Sequence, residues 1–161
     1  ERNPYRGEVM LRRSDEQRVE RMPEFGTFTP TETTRAPAAY IIPAELSDLL
    51  ALLRAHGIRM SRVDAARDVQ AERFVIVSTW LAEREFQQHR ERTVTGAYET
   101  IDYTIPTGAW VVSTDQPLGR LVFTLLEPRS DDGVSNWNLL DEFMGAEWDY
   151  WPVVRSAAPV F

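Results

Sequence analysis

The run Ile105–Phe143, IPTGAWVVSTDQPLGRLVFTLLEPRSDDGVSNWNLLDEF, constrains the fold most. Its 39 residues hold two buried-strand patterns, two stiff turns and a helix start. Ala109–Thr114 alternates as a half-buried strand does, with Pro106 and Gly108 as the turn before it. Leu121–Leu126, LVFTLL, is apolar on both faces of a pleat, which predicts a central strand stopped by Pro128. Ser130, Asp131, Asp132 and Gly133 then read as a turn and helix cap. Val134, Trp137, Leu140 and Met144 follow at helical spacing, predicting a helix that covers the sheet.

Upstream, AAYII (38–42) is a short apolar strand. Pro43 sits where a helix can begin, and Glu45 and Asp48 suit the positive end of its dipole. Leu46, Leu49, Leu50 and Leu53 make one apolar stripe. Gly57 after His56 is placed to end the helix in a left-handed conformation and release Ile58 into another strand. FVIVSTWL (74–81) reads as a buried strand and Val94–Ile105 as a further alternating one. The closing segment, EWDYWPVVRSAAPVF, suits an edge strand or a surface docked on a neighbouring domain. The expected fold is α+β: a largely antiparallel β-sheet covered by two helices, with an extended N-terminal arm.

That arm spans residues 1–37, ahead of a single α+β domain at 38–161. It is rich in Arg, Glu, Thr and Pro, and Pro23, Pro30 and Pro37 bias their predecessors toward extended geometry. One alternating piece, Glu8–Arg12, puts Val9 and Leu11 on one strand face. The chain begins at Glu1 without a signal-like stretch, which reads as part of something longer. No apolar run approaches the ~20 residues needed to span a bilayer, so membrane insertion is not expected.

Charge and residue inventory exclude several chemistries. A net charge of −7 argues against nucleic acid as a partner, because phosphate binding needs concentrated positive charge. All 18 basic residues are arginine, and no cysteine is present to form a disulfide or thiolate site. There is no Gly-rich phosphate loop, dinucleotide fingerprint or Gly-x-Ser-x-Gly elbow. A zinc peptidase needs a His-x-x-Glu pair plus a further ligand, yet the third residue after His56 is Arg59 and after His89 is Arg92. His56, in the last helical turn, is explained by the helix dipole. His89 in FQQHRER is more open, and a base role beside Glu85 or Glu91 would make an independent hydrolase.

Two further constellations carry alternatives. Glu127, Asp131 and Asp132 offer oxygen ligands for calcium, but Asp-Asp-Gly is also a common turn and cap, the structural role assigned here to Glu127, Ser130, Asp131, Asp132 and Gly133. Of the five tryptophans, Trp80 and Trp137 lie in apolar patterns and read as core. Trp110, Trp148 and Trp151, with His89, are the candidates for binding or interdomain contact, including carbohydrate or cell-surface binding.

AAYIIP, FQQHRE, IPTGAWVVSTDQPLGRL and LLEPRSDDGVSNWN, taken together, resemble the segment that follows the catalytic domain in a group of bacterial zinc carboxypeptidase-like proteins. The resemblance covers about residues 27–155, and its most specific parts are Gln116-Pro117-Leu118, Leu126-Glu127-Pro128, Ser130–Gly133 and Trp137-Asn138. The family's catalytic zinc motif, later histidine ligand and glutamate base have no matching positions here. The resemblance therefore implies a noncatalytic C-terminal domain supporting or shaping a preceding peptidase domain of the same polypeptide. It implies zinc in that parent domain only, no cofactor in this chain, and a secreted or periplasmic location. A homo-oligomer stays open.

Overall fold

The computed structural model describes residues 2–3, 5–7, 9, 15–30, 32–144 and 149–161. It divides into two compact units, Glu1–Thr34 and Arg35–Phe161. In the first, the Asn3 side chain accepts hydrogen bonds from the backbone N–H groups of Tyr5 and Arg6, and an isolated bridge joins Arg2 to Val9. Apart from Val9, the expected Glu8–Arg12 strand lies outside the described residues. Residues 15–30 carry no helix or strand.

The second unit is a six-stranded antiparallel sheet with two helices. Its elements are β1 (Ala39–Ile42), α1 (Ser47–Ala55), β2 (Ser61–Arg62), β3 (Arg67–Leu81), β4 (Arg92–Ile105), β5 (Trp110–Ser113), α2 (Gly119–Leu126) and β6 (Val154–Ser156). The strand order is β2-β5-β1-β6-β3-β4. Helix α1 forms as its leucines predict: Leu49, Leu50 and Leu53 are buried, each worth about 2 kcal/mol in transfer free energy. Gly57 (φ +75°) ends it with the paired bonds Gly57 N–H to Arg54 O and Ile58 N–H to Leu53 O, a Schellman cap. Ile58 enters the core rather than a strand, and β2 starts three residues later.

Three further expectations fail. Leu121–Leu126 is not a central strand but the body of α2. A short run apolar on every side suits a buried helix as well as a strand. Here the turn at Thr114–Gly119 swings the chain off the sheet, with Gln116 N–H on Thr114 O and Gly119 N–H on Gln116 O. Pro128 ends this helix and holds Glu127 extended (φ −70°, ψ 127°). The helix expected over Val134–Met144 is instead a series of turns closing in a short 3-10 helix at Asp141–Phe143. The C-terminal strand is not at an edge: β6 lies between β1 and β3, pairing Tyr40 with Arg155 and Glu72 with Arg155.

Both helices pack on one face of the sheet, where Tyr40, Ile42, Phe74, Val94, Val112 and Trp151 join the leucines of α1 and Val122 and Leu126 of α2. On the opposite face Ile41, Val111 and Val154 pack with Ala71, Ile105 and the partly buried Ile101. Among the described residues that face carries no helix, and coiling of the sheet buries it. Strands β4 and β5 stand four places apart, about 19 Å in a flat sheet, yet only Pro106–Ala109 link them, closed into a turn by Ala109 N–H on Pro106 O. The base of the β3–β4 hairpin therefore curls over the short strands.

Beyond Ile76 the hairpin runs as a two-stranded ribbon, with a bulge at Val77. The bulge faces Gly96, where an added Cβ would stand 2.0 Å from Val75 O and 2.7 Å from the Phe74 ring. Gly96→Ala is expected to lower stability by about 3 kcal/mol or more, read as a shift in denaturant midpoint with an unchanged slope.

Candidate functional site

Glu127, read above as a turn residue, turns its carboxylate inward at the C-terminus of α2 and is 5% exposed. Tyr40 of β1 donates its hydroxyl to Oε1 at 2.7 Å, and Tyr98 of β4 donates to Oε2 at 2.9 Å. Arg155 of β6 donates from Nη1 to both oxygens at 3.3 and 3.5 Å, and from Nε to Glu72 of β3 at 2.7 Å. Its guanidinium lies over the Tyr98 ring, 3.3 Å from the centroid, and the edge of Phe74 meets the same ring at 5.0 Å. Antiparallel register puts Tyr40, Arg155 and Glu72 in one row across three strands, and α2 lowers Glu127 onto it.

The electrostatics follow from that enclosure. Burial, then the charge of Glu127, pushes the phenols of Tyr40 and Tyr98 well above the ordinary tyrosine value. Burial also works against the charge of Arg155, but Tyr98, Glu127 and Glu72 outweigh it and raise its pKa. The Glu127 carboxylate has both oxygens engaged by three donors, so it serves as a hub joining α2 to β1, β4 and β6. It is thereby separated from Asp131 and Asp132, which are exposed in the turns after α2, where Ser130 N–H bonds Glu127 O and Gly133 N–H bonds Ser130 O. The three carboxylates do not converge on one ligand site. Among the described residues, no group of three or more His, Asp or Glu side chains is placed to hold a metal ion.

The remaining candidates fall at separate places. Trp151 is not a surface residue: it is 2% exposed in the main core, its backbone N–H bonded to Phe74 O. Trp110 is half-buried with the Arg54 guanidinium over its ring at 4.9 Å. Trp148 lies outside the described residues. His56 bonds through Nδ1 to Leu52 O at the end of α1. His89 stacks on Trp137 at 4.1 Å between centroids, and its ring nitrogens are buried without a hydrogen-bond partner. Neither Glu85 nor Glu91 meets the ring, so the structure does not assemble the acid–base pair considered for an independent hydrolase. Trp80 and Trp137, expected in the core, are about half exposed on the hairpin and the segment beside it. Arg92 ties that segment down, donating to Asp141 at 2.7 and 2.9 Å and to Thr79 at 2.6 Å.

Tyr40, Tyr98, Arg155 and Glu72 were not singled out in the sequence. One signal was present: Arg155 interrupts the apolar run PVVRSAAPV, and a charge inside a strand-length apolar segment needs a buried partner.

Comparison with curated proteins finds partial-length similarity to fungal carboxypeptidases. The chain is 28% identical over 139 residues to Carboxypeptidase 2 of Trichophyton rubrum, covering 82% of this chain and 24% of that protein. It is 24% identical over 135 residues to Carboxypeptidase 2 of Trichophyton tonsurans, with the same coverage. A Probable carboxypeptidase 2 of Arthroderma benhamiae is 26% identical over 112 residues, 68% of this chain and 21% of that one. The chain thus spans about a quarter of the length of the curated relatives it matches. No family model and no solved structure matches it.

Two outcomes test the buried centre. Glu127→Ala removes one of the two carboxylates on Arg155 and the acceptor of two buried hydroxyls and is expected to cost about 3–5 kcal/mol, whereas Glu127→Leu with Arg155→Met costs less than the sum of the single changes, read from a double-mutant cycle in urea. Raised tyrosine pKa values mean that the folded state keeps protons the unfolded chain releases above its ordinary value of about 10. Stability is therefore expected to fall as pH rises through about 10, and absorbance titration should show Tyr40 and Tyr98 ionising only with unfolding.

Proposed function

We propose that the chain is an accessory domain of a carboxypeptidase-like protein, without peptidase chemistry of its own, that supports or shapes a preceding peptidase domain of the same polypeptide. The observation that carries this reading is the asymmetry of the matches: 82% of this chain against 24% of each longer Trichophyton carboxypeptidase. A segment that aligns over most of its length within a protein more than three times as long behaves as one module of it. The internal chemistry supports the same reading. The buried carboxylate is engaged by hydroxyls from two strands, and His89 is stacked on an indole with neither ring nitrogen hydrogen-bonded. On this reading zinc belongs to the peptidase domain, and this domain needs no cofactor. The setting is secreted or periplasmic, and the bacterial context follows from the resemblance. No helix among the described residues is long and apolar enough to cross a membrane.

The test compares the 161-residue chain with its full-length parent for release of C-terminal amino acids from peptides, with and without added zinc. The parent is expected to turn over substrate and the chain alone to be inert. Zinc-dependent turnover by the chain alone, abolished by His89→Ala, would overturn the reading.

A further inference from the structure

Of the large apolar side chains exposed in the second unit, all but Phe161, which lies under Arg67 at the base of β3, fall on the outer hairpin or the segments beside it. Val77 is 78% exposed and Trp80 50%, with Leu81, Phe86, Trp137 and Tyr150 also exposed there. The ribbon has two faces, distinguished by register. On the face continuous with the helix-covered core stand Thr79, Leu81, Arg92 and Val94, and the Arg92–Asp141 clamp holds the 136–143 segment there. The other face presents Ser78, Trp80, Thr95 and Ala97, with Val77 at the bulge and Tyr150 bridged to Val75. No helix covers it. Here the sheet offers an apolar rim around short side chains, and nothing in the folding of this domain requires Val77 or Trp80 to be apolar.

We propose that this ribbon face, Val77, Trp80 and Tyr150 with Ser78, Thr95 and Ala97, docks on an apolar surface of the peptidase domain of the same polypeptide; the proposal rests on the accessory reading and names its contact surface. Two observations select a protein surface over a glycan. Two hydroxyls of the face are already used, Ser78 and Thr95 bonding each other at 2.6 Å, and the Tyr150 ring carries the Arg73 guanidinium at 3.7 Å from its centroid. That leaves Trp80 as the one bare ring among the named residues of the face, without a second beside it to stack a pyranose. Three quarters of the matched relatives lies outside the region of similarity, so a longer polypeptide supplies such a surface in the same molecule. Mixed charges at the hairpin tip, Glu83, Arg84, Glu85 and Arg90, all exposed, form the polar rim that such contacts carry.

Carbene footprinting with mass spectrometry on the 161-residue chain and on the full-length polypeptide tests this directly. Labelling of Val77, Trp80 and Tyr150 is expected to fall several-fold in the full-length protein. The double variant Val77→Asp, Trp80→Thr should return Tyr150 labelling to the level of the isolated chain. The variant should shift the melting temperature of the 161-residue chain by no more than about 2 °C, since exposed substitutions change stability little. If the parent contains no peptidase domain, the accessory reading and this inference fall together. If it contains one and the three residues label equally in both proteins, this inference alone falls. Protection that appears in the isolated chain as its concentration rises would assign the face to a second copy and overturn the proposal. Trp80-dependent fluorescence quenching by soluble cell-wall oligosaccharides would assign it to glycan and overturn it equally.

Discussion

The row Tyr40–Arg155–Glu72, capped by Glu127, is the constraint on which the second unit's geometry depends. A guanidinium in the middle strand of a sheet is tolerated only where carboxylates and ring faces replace its water. Arg155 meets all of these requirements at once, with Glu72 on its own sheet, Glu127 from α2 and the face of Tyr98 beneath it. Slipping β6 by one residue would put Arg155 into the apolar cluster on the opposite face, where Ile41, Ala71 and Val111 offer it no partner. The buried charge thus fixes register between strands that are distant in sequence, and it holds α2 at one height above the sheet.

From that anchored centre the domain loses cover outward. The short strands β1, β5 and β6 are enclosed on one side by helices and on the other by the curled base of the β3–β4 hairpin. The outer half of the hairpin has neither, apart from the turns clamped to one of its faces through Arg92 and Asp141. A core built this way uses its apolar side chains near the buried ion pair and leaves Val77 and Trp80 at the periphery. The stabilising contacts and the exposed apolar side chains of the hairpin are thereby separated in space.

Much of the fold was legible. The leucine stripe and Gly57 locate α1 and its end, because spacing and a left-handed residue are local properties. The hairpin strands follow from alternation, and β5 from the turn before it. LVFTLL misled because a six-residue apolar run carries no period, so the preceding turn decided between helix and strand. Trp80 and Trp151 exchanged their expected roles for a related reason. Aromatic residues do not reveal which segments gain a covering layer, and the stretch ahead of β6, where Trp151 bonds Phe74 O, gained one whereas the outer hairpin did not.

The sequence by itself determined the α+β composition of the domain, the C-terminal end of α1 though not its start, which lies at Ser47 rather than Pro43, and the absence of thiols and paired zinc-ligand spacing. These are set by residue types and by neighbours a few positions apart. The tertiary structure alone decided that Glu127 is an internal hub rather than a loop carboxylate, that β6 lies inside the sheet, and which tryptophans face solvent. Each of those depends on contacts between residues tens of positions apart, as in the 87-residue separation between Tyr40 and Glu127, and local pattern carries no term for such distances.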